Sequence, residues 1–126
     1  VAFSAYQTAN YTTTDGVGLT WTATHVNRGS CFNTTNGKFT APVAGVYQFL
    51  FYQLTQGDNS TGDVRIRLNN AVVAGHYGYG SNTTNHKQSS IMCCFSLSAN
   101  DVIHITSHGT QNWNSNHGGF SGLLIG

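Results

Sequence analysis

The chain is 126 residues long, which is the size of one domain on a single core. Five Lys or Arg and four acidic residues, all Asp, leave little of the Glu and Lys that helical surfaces rely on, so helices are disfavoured. The formal charge of +1 and pI near 7.9 supply no basic footprint for nucleic acid or anionic lipid, and no apolar run approaches the roughly 20 residues of a membrane span.

Val1 to Tyr6 reads as a first strand. Asn10 to Gly18 is a polar turn region, and Leu19 to Ala23 a short strand ending near His25. Asn33 to Gly37 is a loop, after which a strand around Phe39 reaches a turn at Pro42, the only proline. Val46 to Leu54 is a long strand. Its Tyr47, Phe49 and Phe51 point to one face, and Val46, Leu50 and Tyr52 to the other. A strand with one wet face alternates cleanly between apolar and polar residues. This one is apolar on both faces, so both should be covered. A second sheet covers one; a neighbouring subunit or a folded-over loop covers the other.

Thr55 to Gly62 is a loop. Asp63 to Leu68 sets Val64, Ile66 and Leu68 against Arg65 and Arg67, a half-exposed strand. Asn69-Asn70 signals a tight hairpin, with Ala71 to Tyr77 as the partner strand. Gly78 to Lys87 is a loop. Gln88 to Leu97 places Ile91, Cys93, Phe95 and Leu97 on one face. Asn100-Asp101 turns into Val102 to Ser107, His108 to Gly119 is a second long loop, and Phe120 to Ile125 closes the chain. Many short strands with frequent turns predict an all-β sandwich, one domain over residues 1–126.

In an antiparallel meander, successive connections alternate between the two ends. Counted back from the last strand, the loops 108–119, 78–87 and 55–62 fall at one end, the apex. The turns at 98–101 and 69–70 fall at the other, the base. Binding residues concentrate on loops held by a rigid scaffold. The apical set is amide, imidazole and aromatic, with almost no charge: Asp58, Asn59, Tyr79, Asn82, Asn85, His86, His108, Gln111, Asn112, Trp113, Asn114, Asn116 and His117.

Cys31, Cys93 and Cys94 make an odd count, so an exported chain keeps a thiol free or pairs it with another chain. Cys93 and Cys94 are strand neighbours and point to opposite faces. Buried thiols and disulfide bonding, inter-chain included, both fit.

Trp21, Asn27, Phe32, Phe39, Gly45, Tyr47, Phe49 and Phe51 form the pattern W-x5-N-x4-F-x6-F-x5-G-x-Y-x-F-x-F. It resembles the signature of the C1q globular domain at every position but the first, where the family usually has Phe and this chain has Trp21. Val1-Ala-Phe-Ser-Ala resembles that family's first strand, Leu97-Ser-Ala-Asn-Asp-Val-Ile its turn into the penultimate strand, and Phe120-Ser-Gly-Leu-Leu-Ile its last strand. The resemblance therefore spans the chain. It implies a jelly-roll β-sandwich of the C1q/TNF-like type. It also implies a trimer with Val46 to Leu54 near the shared axis, and Tyr47, Phe49 and Tyr52 are the expected interface residues. No Gly-X-Y repeat, the mark of a collagen stalk, occurs in these residues.

Enzyme chemistry is disfavoured: four Asp make an acid/base pair hard to assemble, and neither G-x-S-x-G nor H-E-x-x-H occurs. His104 and His108 have the spacing of ligands on a helix but lie in a strand and turn. Calcium wants several carboxylates or carbonyls, and Asp58 and Asp63 are thin support, so no metal or other cofactor is expected. Neutral sugars are held by amides and hydroxyls, and their C–H faces pack on aromatic rings. The resemblance points the same way, because C1q-like proteins are binding modules and stalkless invertebrate members include lectins of innate defence. The expected function is a secreted lectin for N-acetylglucosamine or N-acetylgalactosamine; a protein-binding head is the alternative. Its expected ligand-binding residues are Tyr77, Tyr79, Asn82, His86, Trp113, Asn114, Asn116 and His117. Its expected partners are glycans and copies of itself, with no nucleic acid and no membrane insertion. Sequons begin at Asn10, Asn33, Asn59 and Asn82, and glycans at Asn59 or Asn82 would crowd the apex.

Overall fold

A computed structural model describes residues 1–55, 63–77 and 86–126. The described residues form eleven strands: β1 (Ala2–Tyr6), β2 (Tyr11–Thr12), β3 (Ala23–Arg28), β4 (Phe32–Asn33), β5 (Lys38–Thr40), β6 (Gly45–Thr55), β7 (Val64–Leu68), β8 (Ala71–His76), β9 (Lys87–Leu97), β10 (Val102–Ser107) and β11 (Asn112–Leu124). They form two antiparallel sheets. The larger has six strands in the order β3-β1-β11-β6-β9, with β2 also on β11; the smaller runs β4-β5-β10-β7-β8. This is the jelly-roll sandwich. No helix among the described residues is long and apolar enough to cross a membrane.

Alternation along the strands builds the core. Phe3 and Ala5 of β1, Tyr47, Phe49 and Phe51 of β6, Ile66 of β7, Ile103 and Ile105 of β10 and Phe120 of β11 are all buried. Each large side chain removed from water contributes about 1.5–3 kcal/mol. Phe3 stacks on Phe32 with ring centroids 4.3 Å apart and meets Phe120 edge-on at 5.0 Å. The spaced signature has a physical content here. Its aromatics interlock: Trp21 meets Phe51 edge-on, and Phe39 meets both Tyr47 and Phe49. Asn27 braces the turn before β4, donating to the Phe32 carbonyl at 2.8 Å and accepting from the Phe32 N–H at 3.1 Å. Gly45 is small because a Cβ there would press on Leu124 and the Gly126 carbonyl.

The registers carry out the expected alternation of ends. Thr55 lies opposite both Lys87 and Trp113, and Val64 opposite Ser107 and His76, so these strand ends share the apex. The Asn69-Asn70 hairpin has both residues at positive φ (47° and 72°), as a tight two-residue turn requires. Asn69 donates to Asp101 at 2.8 Å and accepts from the Val102 N–H at 2.9 Å, which ties the basal turns together. The Asn69 bond and the Ser98 N–H hold the Asp101 carboxyl below the usual Asp range.

Several expectations are corrected. Leu19 to Ala23 is not a strand; only Gly18 bridges, to Thr106, and β3 begins at Ala23. Much of the expected 108–119 loop is strand: β11 starts at Asn112, and its pairing with β6 is interrupted between Trp113 and Gly118. Tyr47 and Phe49 are not interface residues. Both are fully buried inside the sandwich, because their face of β6 looks onto the smaller sheet. The other face of β6 is open in the single chain: Val46, Leu50 and Tyr52 are exposed. Leu50 lies opposite Met92, which is 70% exposed, and Gln48 opposite Leu123. Cys31, Cys93 and Cys94 are free thiols in the chain.

Candidate functional site

The interruption in β11 shapes the apical rim of the larger sheet. Between Trp113 and Gly118 the chain leaves the β6 ladder, and Asn116 takes a positive φ of 60°, which Asn tolerates better than most residues. The Asn116 N–H donates to the Gln7 carbonyl at 2.9 Å and the Ser115 N–H to Asn10 Oδ1 at 3.0 Å, so the segment is tied to the connection between β1 and β2. From the other side Gln53, buried, donates through Nε2 to the Asn114 carbonyl at 3.1 Å.

That segment walls a cleft of about 390 Å³ lined by Tyr52, Leu54, Gln88, Asn116 and His117. Tyr52 and Leu54 come from the outer face of β6, and Gln88 sits opposite Leu54 on β9. The lining is uncharged when His117 is neutral. The tyrosine ring and leucine make an apolar wall; two amides and an imidazole supply donors and acceptors. His117 Nδ1 stands 2.6 Å from the Ser115 carbonyl. A carbonyl only accepts, so the proton sits on Nδ1 and Nε2 of the neutral ring is an acceptor.

The expected ligand residues divide. Asn116 and His117 are exposed and line the cleft. Tyr77 and His86 are exposed at the apical ends of β8 and β9 but do not line it. Asn114 is half-buried and is held through its backbone. Trp113 does not offer its ring to a ligand: it is 2% exposed, packed against Phe51 at 5.5 Å and edge-on to Tyr11. It faces inward because it continues the buried side of β11, not a loop. Tyr79 and Asn82, like Asp58, Asn59 and Asn85, lie outside the described residues. Tyr52, Leu54 and Gln88 were not expected in a ligand site. The outward parity of β6 and β9 is the signal that brings them together. Among the described residues no group of three or more His, Cys, Asp or Glu could hold a metal ion. His108 is 3.9 Å from Asp15, and both are exposed.

The fold has close counterparts. The globular domain of zebrafish complement 1qA superimposes with a TM-score of 0.80 at 20% identity, over 99% of this chain and 97% of that one. Eiger TNF from S. frugiperda gives 0.78 at 9% identity, over 100% and 92%. Murine APRIL gives 0.65 at 10%, over 98% of each. In sequence, zebrafish (Danio rerio) Caprin-2 is 28% identical over 99% of this chain, which spans only 14% of that protein's length. The C1q domain model matches residues 2–125, and the chain belongs to the C1q domain family.

Proposed function

We propose that this chain is the recognition head of a secreted lectin that binds N-acetylated hexosamines in the apical cleft and self-associates as a trimer. The observation that carries the reading is the cleft's lining: one exposed aromatic ring and an aliphatic side chain beside two amides and an imidazole, with no fixed charge. An acetamido group matches that lining. Its methyl packs on Tyr52 and Leu54, its N–H reaches an acceptor such as His117 Nε2, and its carbonyl takes an amide N–H from Asn116 or Gln88. A shallow site of this kind binds with millimolar to micromolar affinity, about 4–8 kcal/mol. Three sites on one trimer gain avidity on a glycan-covered surface.

The assembly rests on the open outer face of β6, where Val46 and Leu50 continue into Met92 and Leu123. A contiguous apolar strip on an otherwise polar surface marks an interaction site. The same strip supports the second reading, a head that recognises another polypeptide. A glycan array followed by calorimetry separates them. Binding of N-acetylglucosamine or N-acetylgalactosamine in preference to glucose and galactose supports the lectin. No binder on the array, from a chain that sediments as a monomer at micromolar concentration, favours the polypeptide partner.

A further inference from the structure

The outer face of the smaller sheet carries a row of cationic groups that the apical site does not use. His104 of β10 lies opposite Lys38 of β5 on one side and opposite Arg67 of β7 on the other. Residues in register point to the same face, and neighbouring strands stand about 4.8 Å apart, so the two cations flank the imidazole at roughly 10 Å from each other. Their neighbours on β10, Ile103 and Ile105, face the core, so the row faces outward. Like charges gathered this way repel, and nothing among the described residues neutralises them. Asp101 is engaged in the basal turn, Asp63 is buried at the apex, and Asp15 meets Gly109 and His108.

The donors in the row are also unspent. Arg67 Nε donates to Thr106 Oγ1 at 3.0 Å and Nη1 to the Asn70 carbonyl at 2.8 Å, which fixes the guanidinium and leaves Nη2 without an acceptor among the described residues. The Lys38 side chain is exposed and forms no ion pair among the described residues. His104 is only 6% exposed, and its Nδ1 is sealed from solvent with no hydrogen-bond partner. A neutral ring that leaves Nδ1 unprotonated carries its proton on Nε2, and that N–H is a donor.

We propose that Lys38, His104 and Arg67 form a seat for an oxyanion of the sulfate or phosphate class, separate from the apical cleft. A tetrahedral oxyanion presents enough acceptors to take Nη2, Nζ and Nε2 together, and charge-assisted bonds of that kind are the strong ones. Burial, Lys38 and Arg67 all lower the His104 pKa, which favours the neutral ring. The charged groups beside His104 are Lys38 and Arg67, with Arg65 opposite Thr106, and histidine is the side chain whose ordinary pKa puts its charge change near neutral pH. A bound anion favours the imidazolium, so affinity rises as pH falls.

The test follows the His104 ring proton signals by NMR in the full chain. Sodium sulfate and sodium phosphate are titrated separately, with sodium chloride holding ionic strength constant. A saturable shift, strengthened from pH 7.5 to 6 for sulfate and weakened about tenfold by Lys38→Gln, is expected. Lys38 is exposed, so its removal spares the fold, and Arg67→Lys, which keeps the charge but loses the fork, gives a second variant. Dextran sulfate against unmodified dextran then separates a glycan-borne sulfate from a free anion. Selective capture of dextran sulfate assigns the seat to sulfated glycans, and a tighter response to phosphate assigns it to free phosphate. No saturable shift with either salt, or a shift that Lys38→Gln leaves unchanged, overturns the seat. Neither result bears on the sugar cleft.

Discussion

The Gln53 side chain fills the space that a side chain on Gly118 would need: a Cβ there would fall almost on Gln53 Oε1. The same amide donates through Nε2 to the carbonyls of Leu54 and Asn114. So one buried residue of β6 both holds the irregular segment of β11 and demands glycine where regular pairing resumes. Gly118→Ala drives the amide out of place, at about 1–3 kcal/mol for overpacking. Urea denaturation should show that loss, together with a weaker affinity for N-acetylglucosamine, because Asn116 and His117 shift with the segment. Unchanged stability and affinity would remove Gln53 from its role in shaping the cleft.

The two faces of β6 should separate stability from assembly. Phe49 is buried against Phe39 and Phe3, so Phe49→Ala costs about 3–5 kcal/mol of folding stability. Leu50, next along the strand, is 40% exposed. Leu50→Asp should leave the unfolding of the isolated chain nearly unchanged but shift sedimentation toward monomer. If Leu50→Asp sediments as the parent does, the outer face of β6 is not the self-association surface.

Burial of His104 makes folding sensitive to acid. Its folded pKa is held below the unfolded value of about 6.5 by burial first, then by Lys38 and Arg67. The unfolded chain therefore binds the proton more readily. The contribution to stability is complete above about pH 6.5 and is lost as pH falls from there through the folded pKa. In buffer free of sulfate and phosphate, His104→Asn should flatten the decline of the urea midpoint between pH 7 and 5. An equally steep decline in the variant assigns the acid sensitivity to other groups.

The thiols should differ in reactivity. Cys94 is exposed, whereas the Cys93 thiol on the opposite face is pushed up to about 11 by burial and by Cys94, and burial raises Cys31. The thiolate is the reactive form, so at pH 8 a thiol reagent should label Cys94 first and the other two much more slowly. Mass spectrometry of partially labelled protein checks the order. Equal labelling of Cys93 would contradict the burial described for it.

Period-two alternation made the buried faces of β6, β7 and β9 legible in sequence, and counting connections placed the apex correctly. The spaced aromatics were legible because they are the interlocked core. What sequence could not separate was strand from loop in 108–119. That stretch is polar because β11 bulges at the rim, while Trp113 continues its buried side. Apolar residues on both faces of β6 predicted a cover for each; the smaller sheet covers the face of Tyr47, Phe49 and Phe51, and the face of Val46, Leu50 and Tyr52 is exposed in the single chain. The choice of interface residues failed on parity: Tyr47 and Phe49 share the face opposite to Tyr52. Tyr52 entered the cleft unforeseen for the same reason. Register with β9 and β11, which only three dimensions supply, brings it beside Gln88, Asn116 and His117.

The cleft makes the sharpest prediction. His117 donates from Nδ1 to the Ser115 carbonyl, so Nε2 is free to accept an acetamido N–H only while the ring is neutral. His117→Ala removes that acceptor and Asn116→Ala a paired donor and acceptor. Each should weaken N-acetylglucosamine binding by about tenfold, near 1.4 kcal/mol, the scale of one or two hydrogen bonds. The positive φ at Asn116 makes Asn116→Gly the fairer variant for backbone strain, and it should lose binding while keeping the fold. Lys38→Gln, on the other sheet, should leave sugar affinity intact. Tyr52 must be judged on affinity per site measured by calorimetry, not on agglutination, because it also lies on the face proposed for self-association. Calorimetry in which His117→Ala and Asn116→Gly bind as the parent does would move the sugar away from this cleft, toward the exposed Tyr77 and His86 at the ends of β8 and β9.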